Sequence, residues 1–182
     1  MASKSWEEEM QHEQTRWYFE KLTEIIKEYI KPDVQYKALE IGLDVGISAK
    51  AFIQFENIKL TDVDCGDVEY GKKFILSIAK PGQWTFIPKS SDDYFAQYLG
   101  KFDIIFIDGD HSYIQSKRDL LNAWEYLLPG GLLMAHDVLH KANFMADRDY
   151  GTTRAMCEFL AEKKVDGIIH PPYPGILTVL KK

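Results

Sequence analysis

The stretch FDIIFIDGDHSYIQSKRDLLNAWEYLLPGGLLMAHDV, Phe102 to Val138, decides the fold. Two apolar runs within it, FDIIFID and GLLMAHDV, have the length and composition of buried strands. Between the runs, apolar residues recur at the spacing of one helix face: Leu120, Leu121, Trp124, Leu127 and Leu128. A strand, a helix and a second strand in this order predict a βαβ unit, whose strands are parallel and covered on both faces.

Both predicted strands end in ionisable residues. The first stops at Asp108, Asp110 and His111, and the second stops at His136 and Asp137. Because the carboxyl ends of adjacent parallel strands lie at one edge of a sheet, we expect these five side chains to be neighbours. Ligands of open α/β sheets bind at that edge, so the pattern predicts a ligand site there.

A glycine turn follows an earlier predicted strand, Ala38 to Ile41, within KALEIGLDVGISAKAFIQF. Gly42 and Gly46 allow the backbone to approach a ligand, and the free N–H groups at the start of the next helix offer a polar cradle. A dinucleotide-binding turn has the form G-x-G-x-x-G. Here Asp44 stands at the second glycine position and Ser48 follows Gly46, which argues against a nicotinamide-dependent dehydrogenase.

Two further strand ends carry ligand-type residues. The predicted strand Ile58 to Val63 leads to Asp64, about twenty residues beyond the glycine turn, where an acid can accept both hydroxyls of a ribose. Asp64 could instead cap the next helix, as could Asp67. The predicted strand Trp84 to Ile87 leads to Ser90 and Ser91, which could bind a base edge or cap a helix.

The two ends of the chain have different patterns. Ser5 to Glu8 form a capping box, which predicts a helix from there to Pro32 that packs on the sheet or, through Trp6 and its neighbours, covers a site as a lid. The polar segment 141–151 is long enough for a substrate loop. A helix over Gly151 to Lys163 and two strands joined by Pro171 to Gly175 complete the chain, and the short connection makes the last strand antiparallel.

Composition limits the class of protein. The 182 residues suffice for one domain, 1–182, with a leading helix in 1–32 and a core in 38–182. A formal net charge of −6 argues against nucleic acid, which requires a basic face. Two cysteines without metal-ligand spacing suit a reducing cytoplasm, and no apolar run has the length of a membrane helix, so we expect a soluble cytoplasmic protein.

The combined strand-end residues, and above all IDGDHSY followed by LLPGGLLMAHD, resemble the class I S-adenosylmethionine-dependent methyltransferases. Within that class the motifs are similar to those of the metal-dependent small-molecule O-methyltransferases that act on catechol, caffeoyl-CoA and macrolide sugars. The resemblance implies an α/β fold: a Rossmann-like, doubly wound sheet of seven strands, mostly parallel with an antiparallel C-terminal strand, and helices on both faces.

The resemblance also implies roles for individual residues. The cofactor S-adenosylmethionine would be bound by Glu40, Gly42, Gly46, Ser48, Asp64, Ser90, Ser91 and Asp108. A divalent metal would be bound by Asp108, His136 and Asp137, and His111 stands where the family has a general base. Two positions depart from the family pattern, since Asp44 replaces the common second glycine and His136 replaces a carboxylate.

The chemistry of methyl transfer to a hydroxyl fits these residue types. A divalent ion would orient the oxygen and lower its pKa. The ligand set admits Mg²⁺, but the imidazole shifts the preference towards Mn²⁺, Fe²⁺ or Zn²⁺. We therefore expect a methyltransferase for a small hydroxylated molecule, with a homodimer implied by the relatives. The alternative is an S-adenosylmethionine-binding protein without activity, or a partner subunit.

Overall fold

Strands and helices alternate along the computed structural model, which describes residues 10–138, 151–163, 165, 168–169 and 177–182. The chain falls into two compact units, residues 1–90 and 91–182. The first unit contains α1 (Glu13–Tyr29), β1 (Tyr36–Ile41), α2 (Ile47–Ile53), β2 (Ile58–Val63), α3 (Glu69–Ile78) and β3 (Trp84–Ile87). The second contains α4 (Ser91–Phe95), β4 (Phe102–Ile107), α5 (Tyr113–Tyr126), β5 (Leu127–His136), α6 (Thr152–Glu162), β6 (Ile168–Ile169) and β7 (Leu177–Lys181).

The first unit is built on three parallel strands in the order β3-β2-β1. The apolar residues of β1 and β2 are almost fully enclosed, as expected for strands covered by helices, whereas those of β3 are half-buried. Helix α1 buries Tyr18, Leu22 and Ile26 and lies against α2, where Gln54 Nε2 donates a hydrogen bond of 2.9 Å to Thr23 Oγ1. The leading helix is therefore a packed element of this unit over its described length.

The start of α1 differs from the prediction. The expected helix from Ser5 is wrong over residues 10–12, which form a turn before the helix begins at Glu13. Arg16 Nη1 donates hydrogen bonds to the carbonyls of Met10 and Gln11, at 3.0 and 2.8 Å. The first backbone hydrogen bond of the helix runs from the Arg16 N–H to the His12 carbonyl, at 3.1 Å.

The second unit pairs β4 and β5 in parallel, and β7 pairs antiparallel with both β5 and β6. Helices α5 and α6 pack together, and Trp124 meets Phe159 edge to face with ring centroids 5.3 Å apart. Five strands of the chain thus pair in parallel, three in the first unit and two in the second. The predicted α/β, Rossmann-like fold is confirmed at this level.

The end of the central helix is a correction. The sequence pattern assigns Leu127 and Leu128 to the helix, but α5 ends at Tyr126 and both residues belong to β5. Pro129 supplies the reason, because the residue before a proline is driven to extended backbone and a proline cannot continue a helix. Leu127 is buried as a strand residue that pairs with Phe102, while Leu128 is exposed.

Several predictions lie outside the described residues: the capping box Ser5 to Glu8, the lid residue Trp6, the polar loop up to Tyr150, and the connection Pro171 to Gly175. Among the helices that the structure describes, none combines the length and the apolar character needed to cross a membrane.

Candidate active site

The glycine turn between β1 and α2 has three residues in the left-handed region of backbone space. Gly42 has φ of 95° and Gly46 has φ of 87°, as the glycine pattern predicts. Asp44 has φ of 44°, so the residue that replaces the family's second glycine adopts a glycine-type conformation. Aspartate is among the few residues that tolerate this region, so the substitution keeps the turn.

Asp64 braces this turn from the end of β2. Its Oδ2 accepts a hydrogen bond of 2.8 Å from the backbone N–H of Leu43, and its Oδ1 accepts one of 2.7 Å from Gly66. The capping alternative is wrong for Asp64 and Asp67, because Val68 is the N-cap of α3 and no side chain caps it. A carboxylate has about four acceptor positions, so Asp64 keeps capacity for the hydroxyls of a ribose.

A cavity of about 180 Å³ opens beside Asp64 within the first unit. Its polar edge includes Lys72, whose ammonium lies 5.1 Å from the centroid of the Phe86 ring. Exposed Cys65 lines the same cavity. The complete lining is Asp64, Cys65, Gly66, Asp67, Val68, Glu69, Lys72, Phe86 and Pro88.

Glu40 lies in a different environment from the one expected of a ligand-contacting residue. It is 0% exposed, it faces Asp62 across the β1–β2 pairing, and the two carboxyl side chains share a hydrogen bond. Trp84 Nε1 donates a further hydrogen bond to Asp62. Burial raises the pKa of Asp62 to about 6, against the opposing hydrogen bonds from Glu40 and Trp84. The pair therefore retains a proton more readily than ordinary carboxyls do.

The predicted serines are also mostly enclosed. Ser48 is buried in the first turn of α2, and Ser90 is half-buried. Ser91 begins α4, and its hydroxyl lies 3.1 Å from Gln115 Nε2 and shares a hydrogen bond with buried Asp119. Gln115 Nε2 also donates to Asp119 Oδ1 at 3.0 Å. The hydroxyl of Ser91 thus faces α5.

The structure brings together the ionisable residues at the ends of β4 and β5. Asp108 Oδ1 lies 3.0 Å from His136 Nδ1 and 3.4 Å from His111 Nε2. The two oxygens of Asp137 lie 3.5 Å from the same nitrogens, Oδ2 from His111 and Oδ1 from His136. All four side chains are between 13% and 22% exposed, so the cluster is sheltered and remains open to solvent. Asp110 accepts a hydrogen bond from the Ser112 N–H and lines the small cavity beside the cluster.

The charges in this cluster support one another. Burial by itself would raise the pKa of Asp108, but the charge of His136 and hydrogen bonds from both histidines bring that pKa below its ordinary value. Burial likewise opposes the charged form of His136, yet Asp108 and Asp137 raise its pKa. The cluster therefore favours ionised Asp108 beside an imidazole.

The backbone around the cluster is fixed from α6. The N–H of Gly151 donates to the carbonyl of His111 at 2.8 Å, and Thr152 Oγ1 donates to the carbonyl of Asp137 at 2.7 Å. Asp137 has φ of 54°, a left-handed conformation that aspartate tolerates better than most residues. A small cavity of about 20 Å³ lies beside Asp108, His111 and His136, lined further by Ser116, Thr152 and Met156 among others.

The donor set fits a divalent metal. One ligand atom each from Asp108, His111 and His136 lie within 4.8 Å of one another. Imidazole nitrogen and carboxylate oxygen are the usual ligands of Zn²⁺, Fe²⁺ and Mn²⁺. Two of the three ligands named by the sequence, Asp108 and His136, are in this group, and His111 is the third member. Asp137 is outside the group, and its two oxygens lie 3.5 Å from the two histidines.

Comparisons with known proteins define the class. A family model described as a methyltransferase domain matches residues 39–138, more than half of the chain. A search of curated proteins finds no match. Solved structures of similar fold include a protein from Corynebacterium glutamicum, with 21% identity, a TM-score of 0.73, and coverage of 94% of this chain and 81% of that one.

Two other solved structures carry names that bear on activity. A candidate caffeoyl-CoA O-methyltransferase from Staphylococcus aureus has 19% identity, a TM-score of 0.71, and coverage of 90% of this chain and 82% of its own. An O-methyltransferase from Bacillus cereus in complex with SAH has 15% identity, a TM-score of 0.66, and coverage of 91% and 90%. At these identities the likeness establishes the fold.

The chain belongs to the methyltransferase-domain family that matches residues 39–138. It is a class I S-adenosylmethionine-dependent methyltransferase by family and fold, which confirms the resemblance drawn from its motifs.

Sequence reasoning missed two buried acids, Asp62 and Asp119. Asp62 has a weak signal in the sequence, since it is an acid inside an apolar strand, where an ionised group needs a partner. Asp119 has none, because an aspartate next to Lys117 and Arg118 on a helix is typical of a solvated face.

Proposed function

We propose that the protein transfers the methyl group of S-adenosylmethionine to a hydroxyl of a small molecule, such as a sugar or a phenol. The observation that carries the proposal is the cluster of Asp108, His111, His136 and Asp137, in which His111 Nε2 lies 3.4 Å from Asp108 and 3.5 Å from Asp137. An imidazole held among carboxylates at the carboxyl end of parallel strands is suited to receive a proton.

The cofactor is assigned to the glycine turn Gly42 to Gly46, to Ser48, Ser90 and Asp64, and to Asp108. Asp64 accepts the ribose hydroxyls, for which its braced carboxylate and the adjacent cavity of about 180 Å³ give support. Glu40 and Ser91 support the cofactor site from within the fold, since their polar groups face Asp62 and Asp119.

The reaction is a displacement at the methyl carbon. The acceptor oxygen forms a bond to that carbon, the carbon–sulfur bond breaks, and its electron pair remains on sulfur, so the sulfonium becomes the neutral thioether of S-adenosylhomocysteine. His111 takes the proton of the hydroxyl, and Asp108 and Asp137 stabilise the resulting imidazolium. A divalent ion bound by Asp108, His136 and Asp137 would orient the hydroxyl and lower its pKa.

Other expectations remain predictions that accompany this proposal. They include a single domain with a seven-stranded sheet and helices on both faces. They also include a cytoplasmic location, a homodimer, and a divalent ion that is Mg²⁺, Mn²⁺, Fe²⁺ or Zn²⁺.

The test is methyl transfer from isotope-labelled S-adenosylmethionine to the small molecules of a cell extract, followed by mass spectrometry of labelled products. We expect one labelled product class with an O-methyl group. His111→Ala should bind the cofactor normally and lose at least about 100-fold in turnover, the ordinary contribution of a general base. His12→Ala, at an exposed histidine before α1, is the matched control.

The alternative is an S-adenosylmethionine-binding protein without activity. It predicts cofactor binding by calorimetry in the wild type and in His111→Ala, with no labelled product from either. An N-methylated or C-methylated product, formed at equal rates by both proteins, would contradict the assignment of His111 and of the acceptor atom.

A further inference from the structure

We propose that His111 is a protein ligand of the metal ion in the substrate-free protein. The centre then has two imidazoles and one carboxylate, from His111, His136 and Asp108, with Asp137 beside both histidines, and it selects a first-row transition metal over Mg²⁺. This inference rests on the metal-assisted reaction proposed above. It goes beyond that reaction because the resemblance gives three ligands and leaves His111 as a base alone.

The spacing of the four side chains carries the inference. Four nitrogen–oxygen contacts link the two histidines to the two aspartates, at 3.0, 3.4, 3.5 and 3.5 Å. Ligand atoms about 2.0–2.2 Å from one ion lie roughly 2.8–3.6 Å apart at octahedral to tetrahedral angles. The contacts of His111 fall in this range as fully as those of His136 do.

His111 Nε2 lies farther from Asp108 Oδ1 than His136 Nδ1 does, at 3.4 Å against 3.0 Å. Its Nε2 is 3.4 and 3.5 Å from two carboxylate oxygens, whereas N–H···O hydrogen bonds are usually about 2.7–3.2 Å long. One imidazole nitrogen placed between two carboxylates at such distances is the arrangement expected around a shared cation.

The backbone holds His111 and Asp137 in place from the same side. The start of α6 binds both carbonyls, that of His111 through the Gly151 N–H and that of Asp137 through Thr152 Oγ1. Asp137 also keeps a left-handed backbone with φ of 54°. Fixing two candidate ligands by one helix start is a way to preform a coordination site.

The ligand types decide the class of metal. Mg²⁺ prefers oxygen ligands and usually retains several waters, so two imidazoles disfavour it. Imidazole binds Fe²⁺, Co²⁺ and Zn²⁺ well, and affinity for such sites rises along the first-row series from Mn²⁺ towards Cu²⁺. Two imidazole ligands therefore favour a transition metal over Mg²⁺ more strongly than His136 alone would.

The two roles of His111 belong to different states of the protein. A nitrogen that coordinates an ion has no lone pair for a proton, so His111 is a ligand when the site holds no acceptor. It is a base only when the acceptor is bound and its Nε2 is released.

The test is a titration of metal-free protein with Co²⁺, without cofactor or acceptor, followed by calorimetry and by the visible absorption of the ion. The proteins are wild type, His111→Ala, His111→Gln and the control His12→Ala. Loss of outer-shell partners alone weakens metal binding about 10- to 100-fold. We therefore expect both His111 variants to bind Co²⁺ at least about tenfold more weakly, with an altered absorption spectrum, and the control to match wild type.

The opposite results are distinct. His111 variants that bind Co²⁺ within twofold of wild type and with the same spectrum would overturn the inference, while the base assignment would stand. Mg²⁺ binding as tight as Co²⁺ binding would overturn the selectivity. A wild-type protein that binds no Co²⁺ would overturn the inference and the metal-assisted step together, whereas cofactor titration tests the methyltransferase assignment separately. His111→Gln keeps a polar side chain of similar reach, so the test does not depend on the folding of the alanine variant.

Discussion

Asp44 shows how one residue can depart from a motif and keep its geometry. The glycine pattern of the turn is broken at this position, yet Asp44 is exposed and has φ of 44° between Gly42 and Gly46. L-residues pay roughly 1–2 kcal/mol in this region, and aspartate is better tolerated there than most. The turn therefore depends on backbone conformation more than on glycine itself.

This reasoning predicts a difference between two substitutions of Asp44. Asp44→Gly removes the steric cost, whereas Asp44→Val places a branched side chain in the same conformation. We expect the valine variant to be less stable than the glycine variant by about 1–2 kcal/mol in urea unfolding. Equal stabilities would show that the turn changes its backbone conformation when the side chain does.

Asp119 predicts a pH-dependent stability. Burial raises the pKa of its carboxyl to about 6, from an ordinary value of 3.8, against hydrogen bonds from Ser91 and Gln115. The native protein therefore holds this proton to a higher pH than the unfolded chain does. The stability contributed by the protonated carboxyl is full below about pH 4 and is lost as pH rises through about 6.

Asp119→Asn should remove this dependence, because asparagine cannot ionise and keeps an acceptor for Gln115. The free energy of unfolding of the variant should rise relative to wild type between pH 4 and 6 and level off by pH 7, by up to roughly 3 kcal/mol. Urea unfolding at several pH values measures the difference. Asp33→Asn, at an exposed aspartate, is the control, and parallel curves for Asp119→Asn and wild type would refute the prediction.

At the scale of elements, the position of α3 is set by its contact with the cofactor turn. A Cβ atom on Gly71 would lie 2.2 Å from the carbonyl oxygen of Asp44, which is backbone and cannot rotate away. Gly71→Ala gains about 1 kcal/mol of helix propensity, but overpacking costs typically 1–3 kcal/mol. We expect the cost of the steric clash to exceed the gain in helix propensity.

We therefore expect Gly71→Ala to lower stability and to weaken S-adenosylmethionine binding, because the helix must move against the turn. Ser77→Ala on the same helix is the control, since Ser77 is exposed. Thermal unfolding and cofactor titration measure the two effects. Unchanged affinity in a destabilised variant would mean that the turn of residues 42–46 does not hold the cofactor.

Helix α6 makes a similar close contact with α5. A Cβ on Gly151 would lie 2.3–2.6 Å from Tyr113 Cβ, Cα and N, and the N–H of Gly151 donates to His111. Gly151→Ala should destabilise the protein by about 1–3 kcal/mol and weaken Co²⁺ binding by displacing His111. Cys157→Ala, at an exposed position of α6, is the control. A variant that loses stability and keeps its Co²⁺ affinity would show that α6 does not position His111 for metal binding.

The helix boundaries show which part of an element the sequence can predict. Strands β2 and β3 have their predicted bounds, because turn residues and apolar runs mark both ends. Helix α5 ends at Tyr126, two residues before its apolar pattern stops, because Pro129 and the pairing of Leu127 with Phe102 outweigh helical spacing. An apolar pattern indicates which residues are buried. It does not distinguish a buried residue at the end of a helix from one at the start of the next strand.

At the scale of the molecule, the sequence predicts the side-chain contacts that follow from strand order. It does not predict those that depend on how side chains pack. The meeting of Asp108, His111, His136 and Asp137 follows from two strands being parallel, so motif and topology suffice to predict it. The enclosure of Glu40 beside Asp62 depends on the register of β1 against β2, and the bond of Ser91 to Asp119 depends on how α4 meets α5. The local sequence gives only a weak signal for the first arrangement, the acid Asp62 inside an apolar strand, and none for the second.

The stabilisation of the entire chain by each cofactor distinguishes a methyltransferase from the alternative, a dehydrogenase. A ligand that binds only the native state at about 100 times its Kd adds roughly 2.7 kcal/mol of stability. For a chain of this size, each kcal/mol raises the melting temperature by about 2–4 °C. S-adenosylmethionine should therefore raise Tm by roughly 5–11 °C, and NADH should leave it unchanged because Asp44 occupies the turn that a pyrophosphate would approach. Asp64→Asn should reduce the shift at equal ligand concentration, since the amide replaces one carboxylate oxygen by an NH₂ group, which cannot accept from the N–H of Leu43 or Gly66 or from a ribose hydroxyl. A shift with NADH that exceeds the shift with S-adenosylmethionine would mean that the cradle accepts a pyrophosphate, and the cofactor assignment would be wrong.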